Sequence, residues 1–334
     1  MIQYLGGELL AVEPARLREL VALGRNHFQH RLRMEDCAQT NLLGSSGRVA
    51  ALRQLFEGRI GTSVDHFSGQ RRLGGSAERY AALQRIRLAE VGKKSAAVPA
   101  VLVVDRETIS YVSDEIRLAD RGNYHLTLRP VYPGASAVQL AGVADLGVGY
   151  VAAFTQWFRM SRVVVEPFYG MLQRRLTRFA PGGDKFAHSC HFQRDCLPHH
   201  MHVEPNGEVY QCMEFADMAR KPFANAITGV VDDDLIAVLR GRAAQVEAQC
   251  GRCEFFAECQ GGCGAEALSR GGSYADRTYM CPVWRALFVA IDEAIQTAGY
   301  GATARWIEHL ETLNQRRRAR VADELVTVSD AIYA

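Results

Sequence analysis

No run of eighteen apolar residues occurs anywhere in this chain of 334 residues, so no segment is built to cross a bilayer as a helix. Met1 is followed by Ile2-Gln3-Tyr4-Leu5-Gly6-Gly7, not by the basic, apolar and small-residue stretches of a secretory signal. An excess of one charge is missing too. Against 39 Lys and Arg stand 37 Asp and Glu, a net charge of +2, which argues against a nucleic-acid surface as the main business of the protein. These absences predict a soluble, cytoplasmic protein with neither membrane nor nucleic acid as partner. Cysteine is nearly absent from the first half: of nine, only Cys37 precedes Cys190. With 334 residues the chain exceeds the usual single core, so two domains, or one large barrel with an appendage, are expected.

The other eight cysteines all fall between Cys190 and Cys281. Cys250, Cys253, Cys259 and Cys263 are spaced C-x2-C-x5-C-x3-C, and Cys281 follows inside Met280-Cys281-Pro282. Upstream stand Cys190, Cys196 and Cys212, the last reached through Asn206-Gly207. Eight thiolates are the number that two four-cysteine clusters require, and soft sulfur suits iron. Structural zinc also uses four-cysteine sites with C-x2-C pairs and stays open at this point. Disulfides are disfavoured, because they are rare in a reducing cytosol. Cys37 has no partner in register and is expected to be a free, buried thiol.

The pattern C-x5-C-x9-N-G-x4-C…C-x2-C-x5-C-x3-C…C resembles the SPASM domain, the auxiliary-cluster module that follows many radical S-adenosylmethionine enzymes. The match covers roughly residues 185–285. The layout is most similar to the anaerobic sulfatase-maturating enzymes and the peptide-modifying members. The resemblance implies two 4Fe–4S auxiliary clusters with crossed ligation. The first would take Cys190, Cys196, Cys212 and Cys263, and the second Cys250, Cys253, Cys259 and Cys281.

Residues 1–180 alternate short apolar runs with amphipathic stretches. Strands are expected at Ile2–Leu5, Arg33–Thr40, Arg59–Val64, Val98–Val104 and Tyr124–Val131, most of them rich in branched or aromatic residues. Helical patterns fall at Pro14–Leu23, Val49–Phe56, Glu78–Val91 and Glu107–Ala119. Alternation of this kind predicts an α/β fold: five parallel strands with right-handed crossovers, an open (β/α) barrel fragment with Ile2–Leu5 at its edge. Functional groups are expected at the carboxyl ends of the strands.

Those ends carry further resemblance. Gly6-Gly7-Glu8 is similar to the Gly-Gly-Glu motif that closes the second barrel strand of radical SAM enzymes, where it binds the amino group of S-adenosylmethionine. Two glycines allow close backbone approach, and a carboxylate suits an ammonium partner. The proline usual after the glutamate is Leu9 here. Gln39-Thr40-Asn41 and Ser63-Val64-Asp65 follow at strand ends. The resemblance implies that Asn41, Ser63 and one of Arg71 or Arg72 line the same cofactor. Read without it, the two arginines are solvated loop charges.

What the resemblance requires and the sequence does not contain is the triad C-x3-C-x2-C that holds the radical cluster. In the family it follows the first barrel strand, whereas the strand bearing Gly-Gly-Glu here begins at residue 2. Truncation, by gene fragmentation or a start codon placed too late, is favoured over natural loss of the radical cluster. A second departure concerns the base that takes the substrate proton. In sulfatase-maturating enzymes it is the aspartate after the cysteine matching Cys212. Met213 stands there, with Glu214 next, either as a base with a raised pKa or as an exposed glutamate on a turn. Asp232-Asp233-Asp234 is expected to start a helix, and Arg316–Arg320 to lie on the solvated face of a C-terminal helix.

The expected organisation is a partial radical SAM barrel over 1–180, a SPASM domain over 181–290 and a C-terminal helical segment over 291–334. The implied parent activity is oxidative modification of a peptide or protein side chain. Its cofactors would be S-adenosylmethionine and the two 4Fe–4S clusters, and its partners a peptide or protein substrate and a reducing donor such as a flavodoxin or ferredoxin. The other reading is a non-catalytic iron–sulfur protein that binds peptide or relays electrons. Without the triad the chain is expected not to cleave S-adenosylmethionine by itself.

Overall fold

The computed structural model describes residues 1–28, 35–93, 98–132, 141–178, 190–313 and 315. In the first half six strands run β1 (Ile2–Tyr4), β2 (Asp36–Gln39), β3 (Ile60–Ser63), β4 (Pro99–Val104), β5 (His125–Pro130) and β6 (Val165–Glu166), paired in sequence order. Every pairing is parallel. Between and after them lie α1 (Pro14–Phe28), α2 (Ser46–Leu55), α3 (Ala77–Lys93), α4 (Val112–Gly122), α5 (Val143–Met160) and α6 (Phe168–Thr177). Parallel strands joined by crossover helices put all their carboxyl ends on one side of the sheet. Among the described residues the sheet stays open, with β1 and β6 as its edges.

Six strands replace the five expected. The extra strand is two residues long and pairs Val165 with Leu126 and Glu166 with Thr127; the short run Val163-Val164-Val165 is its only local signal. Helix α5 was not among the expected helices; its apolar residues recur at helical spacing, but Gly147 and Gly149 weaken the pattern. A Cβ on Gly149 would stand 2.5 Å from the Ile109 side chain. That glycine lets α5 settle against the turn at Thr108–Tyr111, and Leu146, Tyr150, Ala153, Phe154 and Trp157 face the core.

The second half has a small antiparallel sheet, β7 (His202–Val203), β8 (Glu208–Tyr210) and β9 (Ala224–Asn225). Asn206-Gly207 makes the β7–β8 turn, with Gly207 at φ +83°, a conformation that L side chains resist. Then come α7 (Met213–Asp217), α8 (Asp233–Cys250), α9 (Phe256–Cys259), α10 (Gly264–Ser269) and α11 (Cys281–Ala298), with further helix over 300–313. The acidic triplet starts α8 as its composition suggests: the Asp232 carboxylate caps the helix by accepting from the Leu235 N–H at 2.9 Å.

Two cores hold the molecule. The larger joins the sheet and α1–α6 to Phe192, Phe255, Met280, Trp284, Leu287, Phe288 and Ile291. The smaller gathers Val209, Tyr210, Phe215, Phe223, Leu239, Cys263, Ala265 and Tyr274. The boundary expected at residue 290 falls inside α11, which packs on α5 and α6. Arg175 on α6 fastens that contact, bonding Asp292 of α11 through Nε at 2.8 Å and Nη2 at 2.6 Å, and Glu258 of α9 through Nη1 at 2.7 Å. Residues Arg316–Arg320 lie outside the described residues.

Candidate functional site

At the carboxyl end of β1 the chain turns through Gly6 and Gly7, both with positive φ (+86° and +56°) and with open space where a Cβ would stand. The turn delivers Glu8. Its carboxylate accepts from the Leu10 N–H at 3.0 Å, the Thr40 hydroxyl at 2.6 Å and the Asn41 N–H at 2.8 Å. Glu8 thus ties the ends of β1 and β2 together. A carboxylate offers about four lone-pair positions, so three protein donors leave room for one more. The Asn41 side chain accepts from the Leu43 N–H at 2.8 Å. Gln39 reaches across to the Ser63 hydroxyl at 3.2 Å, and the Ser63 carbonyl takes Gln84 at 2.6 Å and the Tyr80 hydroxyl at 3.3 Å. Burial pushes the Tyr80 pKa up to about 12, with the nearby Arg71 charge opposing. Glu8, Asn41 and Ser63 therefore lie along one hydrogen-bonded margin, with Arg71 near its Tyr80 end. Arg72 is exposed and bonds the Gly69 carbonyl. Cys37, on β2, is half-buried and lies 3.6 Å from the Met1 sulfur.

Further along the same side, Arg129 stands next to the last residue of β5, with Tyr132 just beyond the strand. Arg129 Nη2 stands 2.9 Å from Glu214 Oε1. Glu214, on α7, is buried at 9 % exposure, which overturns the exposed-turn alternative. Its pKa is raised by burial, with the Arg129 charge opposing and Asp217 adding. Burial works against the Arg129 charge, yet Tyr132, Glu214, Cys190 and Cys263 hold its pKa above the usual range. The Tyr132 hydroxyl donates toward the Cys263 sulfur at 3.8 Å. Arg129 and Tyr132 were not picked out in the sequence. A charged residue closing an apolar parallel strand was the signal available.

Removing one partner of a buried pair leaves an uncompensated charge. Arg129→Ala should therefore lose about 3 kcal/mol in denaturant unfolding. Adding Glu214→Gln should restore part of the loss. A double variant no more stable than Arg129→Ala would rule this account out.

The cysteines fall into two sets. The Cys263 thiol is fully enclosed; its pKa is raised first by burial, then by Glu266 and by the nearby Cys190 and Cys212. Burial pushes Cys196 up to about 12, with Cys190 adding, and Cys212 up to about 12, with Glu214 and Cys190 adding. In the other set burial raises Cys250, with Cys281 and Cys253 adding. Cys259 is pushed up to about 12 by burial, with Cys281 and Cys250 adding. Cys263 is thus brought to Cys190 and Cys212, although Cys259 is four residues away in sequence. Backbone N–H groups of Glu214 and Phe215 oppose the rise at Cys212, that of Gly261 at Cys259 and that of Glu266 at Cys263.

Several buried polar atoms around these sets have no hydrogen-bond partner among the described residues: Asp195 Oδ1, Gln211 Oε1, Arg242 Nε, Glu266 Oε1 and Tyr274 Oη. Buried polar atoms are ordinarily paired. Four thiols in each set, among buried polar atoms left without partners, fit an anionic thiolate-bound group. Buried thiols become thiolates when a metal supplies the countercharge. Among the described residues no three His, Cys, Asp or Glu side chains surround a single-ion position.

Strand order, crossover helices and a cysteine-rich unit against the carboxyl ends make this an α/β protein of the open (β/α) barrel kind. Its fold matches that of anSMEcpe with bound AdoMet, at 17% identity over 92% of this chain and 84% of that one, with a TM-score of 0.67. It also matches native anSMEcpe with bound AdoMet and a Cp18Cys peptide, at 18% identity over 89% of this chain and 84% of that one, with a TM-score of 0.66. At such identity the likeness is one of fold. No protein-family model matches the chain, and no curated protein matches it. Among the described residues no helix is long and apolar enough to cross a membrane.

Proposed function

We propose that the chain belongs to the radical SAM enzymes with a SPASM domain and derives from an activity that oxidises a peptide or protein side chain. The observation that supports this reading is that Cys263 lies within the field of Cys190 and Cys212, and Cys250 and Cys259 within that of Cys281. A zinc site built from a local run of cysteines has no need of it. Residues 1–180 would be the barrel part and the cysteine-rich region the cluster-bearing part, with α11 as the strut between them. The clusters would take Cys190, Cys196, Cys212 and Cys263 in one site and Cys250, Cys253, Cys259 and Cys281 in the other, and would supply electron acceptance.

Gly6, Gly7, Glu8, Asn41, Ser63 and Arg71 would border S-adenosylmethionine, and the open lone-pair position of Glu8 suits its ammonium group. A peptide substrate is supported by the peptide bound to anSMEcpe, and the electron source would be a small redox protein such as a flavodoxin or ferredoxin. Glu214 would act as a proton acceptor only on release from Arg129, because the ion pair holds its charge.

Anaerobic reconstitution tests the reading: about eight irons and eight sulfides per chain are expected, and stoichiometric zinc without sulfide would remove it. The sequence holds no C-x3-C-x2-C triad. The reconstituted, reduced 334-residue chain should therefore release no 5′-deoxyadenosine from S-adenosylmethionine. The second reading is a non-catalytic iron–sulfur protein for peptide binding or electron relay. Reductant-dependent 5′-deoxyadenosine would decide for catalysis by this chain and against both expectations.

A further inference from the structure

Arg242 sits in the middle of α8 with 0 % exposure. Its guanidinium bonds only backbone oxygens: Nη1 donates to the carbonyls of Tyr274 and, at 2.7 Å, Asp276, and Nη2 donates to that of Gly262 at 2.9 Å. The plane lies 5.2 Å over the Tyr274 ring. The Nε–H has no partner among the described residues. It faces Gly264, where an added Cβ would come within 3.3 Å. The side chain thus bonds Gly262 and packs beside Gly264, the two residues that flank Cys263, while its own helix ends at Cys250. Its charge acts on Cys196 of one set and Cys250 of the other.

Carbonyl oxygens satisfy the hydrogen bonds of a guanidinium, but they do not cancel its charge. Among the described residues no carboxylate forms an ion pair with Arg242; Glu266 feels its field without reaching it. A fully buried, unpaired cation is costly, and folded proteins normally set an anion against it. A cubane core carries less positive charge than its four thiolates carry negative, so each cysteine site, once loaded, is a net anion.

We propose that Arg242 is the shared counter-cation of the two cysteine sites, stabilising the added electron on either cluster and raising the reduction potential of both. The inference rests on the cluster reading above. It makes Arg242 a positioning and tuning residue. The cation gives up neither proton nor electron.

Arg242→Met and Arg242→Lys, made in the full chain and reconstituted anaerobically with iron and sulfide, test it by potentiometric titration followed by electron paramagnetic resonance. At wild-type iron and sulfide content, Arg242→Met should lower the reduction equilibrium constant of both sites about tenfold, which is 59 mV for a one-electron couple. Arg242→Lys, which keeps the charge, should stay near wild type. If the Met variant fails to retain clusters while the Lys variant retains them, the requirement for charge is supported. Loss from both variants would assign Arg242 to holding the loop alone and overturn the proposal. So would a loaded Met variant in which neither couple, or only one, moves. A wild-type chain that takes up zinc and no sulfide would instead remove the cluster reading itself, and the inference with it.

Discussion

Cys263→Ala is expected to remove about half of the iron and sulfide from the reconstituted protein, and Cys281→Ala the other half. Each cysteine sits with thiols distant in sequence: Cys263 with Cys190 and Cys212, Cys281 with Cys250 and Cys259. Pairs of substitutions sharpen the test. Cys212→Ala added to Cys263→Ala should remove little more, because one site is already broken. Cys281→Ala added to Cys263→Ala should leave no cluster. Iron, sulfide and visible absorption measure all three. If Cys259→Ala and Cys263→Ala proved to strip the same site, ligation would follow sequence order and the crossed assignment would fall.

Trp284→Ala should cost about 3–5 kcal/mol of stability, the range for deleting a buried aromatic side chain. The indole has 0 % exposure. It meets Tyr150 of α5 edge-on at 5.5 Å, Phe192 at 5.5 Å and His191 at 6.0 Å. One side chain on α11 therefore ties the sheet-bearing half to the segment that begins at Cys190. His191 shares that apolar setting, and burial drives its pKa down to about 3, with Arg129 and Arg174 adding. The variant should also hold the first cysteine site less firmly, since Cys190 is next to His191. Denaturant unfolding of the metal-free chain gives the stability loss, and a chelator challenge of the loaded protein gives the site effect. Trp284→Phe should recover part of both. A loss below about 1 kcal/mol would mean the cavity collapses freely and the tie is weak.

Local pattern carried a good deal of this protein. The runs that became β1–β5, the Asn206-Gly207 turn and the Asp232 cap were legible because each depends on residues a few positions apart. Helix boundaries moved: α1 continues to Phe28, five residues past Leu23, since amphipathic periodicity marks a buried face better than an end. The register of the cysteines pointed to two four-cysteine sites through spacing and resemblance alone.

Other features had little local signature. Strand β6 had only the short run Val163-Val164-Val165 behind it, and β5 supplies the edge on which Val165 and Glu166 pair. Glu214 looked like a turn residue, and only packing of α7 under the end of β5 made it a buried partner of Arg129, 85 positions upstream by residue number. Nothing local marks Arg242; only folding brings the carbonyls of Gly262, Tyr274 and Asp276 over it. Sequence determined which segments form strands and helices and which side chains could serve as ligands, because conformational preference and spacing are properties of near neighbours. Tertiary structure decided which charges are buried and which thiols share a site, because burial and field depend on groups that the chain brings together only by folding.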